Sequence, residues 1–267
     1  MRIALFTLES TLSAAAVARF LRNRTAEVVL IGRSAPFRHG AVREAWRHLR
    51  RSGPRLMPYL LVNYGLPQWL ASARRLAGGW GEITAIAAAR GIPIVEVTDV
   101  NGPAMQAELH MVQPDLIVSF HFDQIFAPTT LALARGGGIN LHPSLLPRHR
   151  GPVPTIWALA EDPPVFGVTV HRLTPRIDAG AILAQAAVPL PADVTASAAT
   201  RMLHMAGVPL LESTIAAIAA GTATERTMAP LPYCPFPPPT LLRELARKRR
   251  RVVDLDDLRE TMRVRIG

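Results

Sequence analysis

Short apolar runs of strand length recur along this chain, separated by segments of helical character, and that alternation constrains the fold more than any other feature. Residues 2–8, Arg-Ile-Ala-Leu-Phe-Thr-Leu, read as a buried strand, and Glu9-Ser-Thr-Leu-Ser13 as a turn into a helix running to about Leu21. Residues 26–32 make a second apolar strand, which completes a β-α-β unit with a right-handed crossover. The pattern resumes with a helix near 82–90, a strand at 92–97, a helix at 104–111 and a strand at 116–120. Strands alternating with helices predict an α/β fold with a doubly wound, mostly parallel sheet, Rossmann-like in its order. The first turn, Thr7-Leu-Glu-Ser-Thr-Leu-Ser13, lacks the glycines that bring a backbone against a pyrophosphate, which argues against a nicotinamide dinucleotide.

A second constraint is Gly136-Gly-Gly-Ile-Asn-Leu-His-Pro-Ser-Leu-Leu-Pro-Arg-His-Arg-Gly151. If residues 137–141 are a strand, alternation places Asn140 and His142 on one side and turns Leu141 to the other. Pro143 and Pro147 stop the strand there, so the polar pair sits at a strand's carboxyl end, where open α/β sheets hold their ligands.

Asn140-x-His142-x-Ser144-Leu-Leu-Pro147, followed by Gly151 and later by Ile177-Asp178-Ala179-Gly180, resembles the signature of the folate-dependent formyltransferase family, which includes glycinamide ribonucleotide, methionyl-tRNA and sugar-amine formyltransferases. The similarity is clearest over residues 115–190. It implies 10-formyltetrahydrofolate as co-substrate and no metal. It further implies that Gln124, Ile125 and Phe126, in the loop leaving the fourth strand, contact the pterin largely through backbone. By the same resemblance Ser144, Leu145, Leu146 and Pro147 line the cofactor site, with a cis proline at 147. Family members acting on phosphorylated substrates bind them at the first turn, which makes Ser10 and Thr11 candidates; a capped helix and nothing more is the other reading. Arg148 and Arg150 can meet anionic groups of a substrate or the folate tail, or be solvated loop charge. His121 and Asp123 lack a third ligand at metal spacing.

The chemistry implied is formyl transfer to a primary amine through a tetrahedral carbon whose oxygen carries negative charge. Asn140 can donate to that oxygen, His142 can donate and move a proton, and Asp178 can orient the imidazole and raise its pKa. Asp178 comes from the connection between two further strands, at 165–172 and 181–189, so it reaches His142 from a separate element. Before them, residues 151–155 open a helix through Trp157 to about 160, and after them residues 196–220 read as an alanine-rich helix.

Two regions fall outside the family pattern. In an insertion at about 34–81, Arg38, Arg43, Arg47, Arg50, Arg51 and Arg55 precede an apolar run at 56–70, and Arg74 and Arg75 close it. This suits a lid over an anionic or partly apolar acceptor, peripheral contact with an anionic membrane, or an insertion packed on its own domain. Residues 221–267 form a proline-rich, basic extension beyond a catalytic domain at 1–220, expected as a solvated tail or helix. Its brevity argues against a tRNA acceptor and favours a small-molecule amine.

Composition narrows the alternatives. The net charge of +10 invites a reading as a non-catalytic binder of nucleic acid or anionic membrane, yet Lys248 is the only lysine, and a general excess of arginine equally reflects base composition. With one cysteine, no leader-like start and no spanning run of apolar residues, a cytoplasmic location is expected. A formyltetrahydrofolate hydrolase is the other enzyme reading, since the same triad serves water. Its form, Asn-x-His-His-Ser-Phe-Leu-Pro, differs here at Pro143 and Leu145.

Overall fold

The computed structural model describes residues 1–24, 28–34 and 40–267. Arg38, and the first two residues of the strand expected at 26–32, lie outside the described residues. In chain order the elements are β1 (Ile3–Leu8), α1 (Ala14–Arg24), β2 (Val28–Ser34), α2 (Ala41–Ser52), α3 (Met57–Leu60), α4 (Leu66–Leu76), α5 (Glu82–Ala89), β3 (Ile94–Val97), α6 (Pro103–Val112), β4 (Leu116–Phe120), α7 (Pro128–Leu131), β5 (Gly138–His142), α8 (Pro154–Ala160), β6 (Gly167–Arg172), β7 (Ile182–Ala187), α9 (Ala196–Ala219), α10 (Pro239–Arg247) and α11 (Leu255–Arg263).

The seven strands form one sheet in the order β3-β2-β1-β4-β5-β6-β7, with the first five parallel and the last two antiparallel. This is the mostly parallel α/β architecture expected from the alternation. β1 and β4 are buried along their whole length, as apolar strands covered on both faces must be. One face carries Ile3 and Leu5 of β1 with Phe20 of α1 and Leu203 and Leu211 of α9. The other carries Ala4 and Phe6 with Met105 and Leu109 of α6. Helix α9 is long and apolar enough by composition to cross a bilayer, but it packs along β5, β6 and β7 and buries Leu203, Val208, Leu211 and Ile215. Gly207 permits its approach to β5, because a Cβ there would lie 2.7 Å from a methyl of Leu141.

The insertion at 34–81 packs as part of the domain. Leu56 and Tyr59 are fully buried in the main core, and α3 runs into a π-helical turn at Leu61–Gly65 before α4. The wider turn brings consecutive residues inward: Asn63 donates to the Ser197 hydroxyl at 2.7 Å, and the Val62 carbonyl accepts from Thr261 at 2.9 Å. The opposite surface exposes Leu61, Trp69 and Leu76, and α2 exposes Trp46, with Arg50 stacked 5.9 Å from its ring centre.

The extension beyond residue 220 differs from the expected solvated tail. Its prolines carry no N–H, so it crosses the surface as extended chain with few bonds: Cys234 donates to the Arg150 carbonyl at 2.7 Å and receives the chain beside Trp157, whose indole donates to Pro235 at 2.8 Å. Beyond it α10 buries Leu242 and Leu245, and α11 buries Asp257, which accepts from the Thr195 hydroxyl at 2.8 Å and pairs with Arg201 at 2.5 Å. Several of the basic residues are also engaged: Arg250 donates to the Leu159 carbonyl and to Asp162, and Lys248 pairs with Glu244 at 3.0 Å.

Candidate active site

A cavity of about 220 Å³ opens at the carboxyl ends of β4 and β5. Asn140, His142, His171 and Asp178 line its wall, and so do Leu12, Tyr59, Thr200, His121 and His204. Phe122, Ile125, Phe126 and Leu173 supply apolar surface.

β5 delivers Asn140 and His142 to the cavity together, as strand alternation requires, while Leu141 turns into the core. β6 runs antiparallel beside β5 with His171 directly opposite Asn140. The chain then turns at Asp178, whose φ of 45° lies in the left-handed region, and its carboxylate returns over both imidazoles. Asp178 Oδ1 lies 3.7 Å from His142 Nδ1 and 3.6 Å from His171 Nε2, and Oδ2 accepts from the Gly151 N–H at 2.9 Å. Asp178 therefore does approach His142 from a separate element.

Tautomers follow from the carbonyl partners, because a carbonyl can only accept. His171 Nδ1 donates to the Arg172 carbonyl at 2.8 Å, so its Nε2 lone pair accepts from Asn140 Nδ2 at 3.1 Å. This fixes which end of the Asn140 amide faces His171. His142 Nε2 donates to the His149 carbonyl at 3.2 Å, which leaves Nδ1 bare and facing Asp178. Burial pulls the His142 imidazole below the ordinary histidine range, against the attraction of Asp178. Burial pushes the Asp178 carboxyl up, but the imidazoles of His142 and His171 and the Gly151 N–H outweigh it and hold it at about 2. At neutral pH the resting pair is thus a carboxylate beside a neutral imidazole whose bare nitrogen is placed to take a proton.

The other predicted residues divide. Gln124, Ile125 and Phe126 all line the cavity. The Gln124 side chain is spent inside the fold, accepting from Val100 N at 2.8 Å and donating to the Val97 carbonyl at 3.1 Å, so only its backbone is left for a ligand. Ser144, Leu145, Leu146 and Pro147 stand behind the cavity instead of on it. Ser144 donates to the Arg148 carbonyl at 2.9 Å, Leu146 N–H donates to Thr169 at 3.1 Å, and Leu145 packs against Gly167. The Leu146–Pro147 peptide is cis. This loop shapes the turn after His142 and carries His149 to it.

Ser10 and Thr11 are buried and away from the cavity. Thr11 bonds to Thr261 at 3.2 Å, and Ser10, with Ser13, reaches His121 Nδ1 at 3.3 and 2.9 Å. Arg150 is buried as well, its guanidinium satisfied by the carbonyls of Ile177, Asp178 and Leu231. It braces the Asp178 turn. Arg148 is half-exposed and pairs with Glu161 at 3.5 Å.

Sequence reasoning missed His171 and His204, and weighed His121 only as a metal ligand. His171 sits seven residues before Asp178 in an alternating strand, a spacing that could have suggested it. His204 carries no local signal. Among the described residues no group of three or more His, Cys, Asp or Glu side chains is placed to hold a metal ion.

Comparison with known proteins places this geometry. The Formyl transferase family model matches residues 84–215, the span that supplies Asn140, His142, His171 and Asp178. A sugar N-formyltransferase from a Shewanella species superposes with a TM-score of 0.56 at 17% identity, covering 88% of this chain and 77% of its own. Glycinamide ribonucleotide transformylase 1 from Symbiobacterium toebii gives 0.56 at 20%, covering 86% and 94%. Phosphoribosylglycinamide formyltransferase from Streptococcus pneumoniae gives 0.53 at 19%, covering 82% and 98%. Those identities establish a shared fold, and residues 84–215 match the Formyl transferase family.

Proposed function

We propose that this chain transfers a formyl group from 10-formyltetrahydrofolate to a primary amine of a small molecule. The observation that carries the reading is the Asn140, His142, Asp178 cluster at the carboxyl end of β5, on a cavity, in a chain that matches this family. Phe122, Ile125 and Phe126, with backbone groups free at Gln124, suit a flat heteroaromatic ring with polar edges.

The balance of bonds assigns the roles. The amine nitrogen forms a bond to the formyl carbon, the bond from that carbon to the folate nitrogen breaks, and one proton passes from the attacking to the leaving nitrogen. Asn140 keeps one N–H on His171 and offers the second to the oxygen as it gains charge. His142 takes the amine's proton at Nδ1, where Asp178 stabilises the imidazolium, and then returns it to the leaving nitrogen. Buried charges gain strength from exclusion of water, so the neutral resting state of His142 costs little and its charged state is held only while the reaction proceeds.

The amine acceptor is a small molecule, of the class formed by amino sugars on nucleotides and by amino-acid derivatives. Arg148, half-exposed, is available to an anionic portion of it. The reaction belongs in the cytoplasm, where reduced folates and a free cysteine both fit.

The test supplies 10-formyltetrahydrofolate with a panel of dTDP- and UDP-amino sugars and glycinamide ribonucleotide, and follows both formamide product and tetrahydrofolate. Formamide should form with one amine and depend on His142. A stable formyl folate at about 100 times its Kd should stabilise the protein by roughly 2.7 kcal/mol. Formate release at the same rate without any amine would assign hydrolysis instead. Absence of both folate turnover and a thermal shift would overturn the reading.

A further inference from the structure

The cavity wall also carries two histidines that the chemistry above does not use, His121 and His204. His121 follows β4 with φ at 54°, a left-handed conformation that a residue with a side chain keeps only where its surroundings hold it there. Its surroundings do. The Leu8 N–H donates to its carbonyl at 2.6 Å, Ser13 and Ser10 reach Nδ1 at 2.9 and 3.3 Å, and the Tyr64 hydroxyl lies 3.3 Å from Nε2. His121 is therefore satisfied at both ring nitrogens.

His204 packs against it, with ring centres 5.3 Å apart, and lies 5.4 Å from the ring of Phe120 on its other side. The residue is fully buried on α9 and lines the cavity one helical turn from Thr200, which also lines it. Its Nδ1 donates to the Leu12 carbonyl at 2.9 Å, and a carbonyl accepts only, so Nε2 carries a bare lone pair. That nitrogen has no hydrogen-bond partner among the described residues. A buried acceptor left without a donor is unfavourable, so a ligand that supplies an N–H there gains by relieving it. Burial, reinforced by His121, holds His204 at about 3, and burial holds His121 at about 4, so both rings stay neutral across the physiological range.

We infer that His204 receives the acceptor amine: its Nε2 accepts a hydrogen bond from an N–H of a primary amine entering the cavity, which leaves the amine's own lone pair free for the formyl carbon. This rests on the formyl-transfer reading and adds the residue that binds the second substrate. The site takes a neutral amine with at least one N–H beyond the one it loses. A tertiary amine brings no donor and leaves Nε2 orphaned. His121 acts behind it as a positioning residue, tied to β1 and to the π-helical turn by Ser13 and Tyr64.

Two variants separate the binding role from the structural one. The Asn side chain in His204→Asn can keep the donor to Leu12 while removing the distal acceptor, whereas His204→Gln places an amide oxygen near the distal position. With the best amine of the panel above, His204→Asn should raise the amine KM about tenfold or more, leave the folate KM within about twofold, and be partly rescued by His204→Gln; tenfold corresponds to about 1.4 kcal/mol. Equal KM values for amine in wild type and His204→Asn would overturn the inference while leaving formyl transfer standing. Independently of turnover, protein labelled with 15N-histidine should show the His204 Nδ1–H tautomer. Titration with hydroxylamine, a small neutral N–H donor at neutral pH, should shift its Nε2 resonance saturably, with no such signal in His204→Asn. An unmoved Nε2 resonance, or the opposite tautomer, would overturn the inference whatever the kinetics of the panel.

Discussion

Two pairs of histidines on the cavity wall solve opposite electrostatic problems with the same residue type. In one, His142 and His171 face a carboxylate that stays ionised, so a proton arriving there is stabilised. In the other, His121 and His204 face hydroxyls, a carbonyl and aromatic rings, with no carboxylate paired to either ring among the described residues, and burial keeps them neutral. An imidazole's role here is set by whether a second element brings a charge to it. In β5 that element is the turn carrying Asp178; at α9 it is the turn after β1, which offers the Leu12 carbonyl to His204 and the Ser13 hydroxyl to His121.

The contrast can be broken most severely at the charged pair. His142→Ala should lower kcat/KM for formyl transfer by ~10²-fold or more with folding retained by circular dichroism, and Asp178→Asn should do nearly the same, because each removes a proton-transferring or charge-stabilising group. Near wild-type turnover in His142→Ala, with the true amine present, would refute the assignment.

At the neutral pair the large effect is on stability. Both folded pKa values lie below that of a free histidine, so the unfolded chain takes up protons first as pH falls, and stability should drop from about pH 6.5 towards pH 4. Each histidine contributes up to about 1.4 kcal/mol per pH unit in that window. Urea titrations from pH 7 to pH 4.5 should show this slope, with one proton's worth missing in His204→Asn. An identical slope in the two proteins would remove His204 from the set of buried neutral groups.

A smaller effect sharpens the role of His171. In His171→Phe the Asn140 amide loses the acceptor that orients it, and kcat should fall about tenfold with the folate KM little changed, while His171→Gln, which can still accept, should recover part of the loss. Equal rates in the Phe and Gln variants would show that shape alone matters.

The smallest predicted effect lies on the exposed face of the insertion. Trp46→Ser, on the exposed face of α2, should alter stability by no more than about 0.5 kcal/mol, whereas Tyr59→Ala, fully buried beneath the same insertion, should cost about 3–5 kcal/mol. Chemical denaturation of both variants checks the pair.

The regular part of the molecule was legible because its signals are local. β4 matches its apolar run residue for residue, and Asn140 and His142 follow from alternation within five residues. The polar cluster could be half read: Asp178 belongs to a recognisable turn, but His171 becomes a partner of Asn140 only through pairing of β5 with β6. His204 could not be read at all. An isolated histidine in an alanine-rich helix has no spacing that distinguishes core packing from a cavity wall, and its unpartnered lone pair depends on the Leu12 carbonyl, 192 residues away in sequence. Ser10 and Thr11 misled for the related reason that a helix-opening turn looks the same whether its hydroxyls face a ligand or another side chain. The extension past residue 220 misled because proline density reports missing N–H donors, while the buried faces of α10 and α11 lie beyond the prolines.

The pairing of β5 with β6 sets a limit on how such a chain can change length. Across this antiparallel ladder Asn140 faces His171 and His142 faces Thr169, and the register is pinned by Leu173 N–H on the Gly138 carbonyl at 2.8 Å and by Thr169 on the Ser144 carbonyl at 2.7 Å. Deleting one residue within β6 would bring Val170 or Arg172 opposite Asn140 and turn every β6 side chain to the other face. Insertions between α9 and α10 turn no strand over, provided the chain there still brings Leu231 to Arg150 and Pro235 to Trp157. Lineages of this fold can therefore vary more in the segments that wrap it than in β6, where they must count residues.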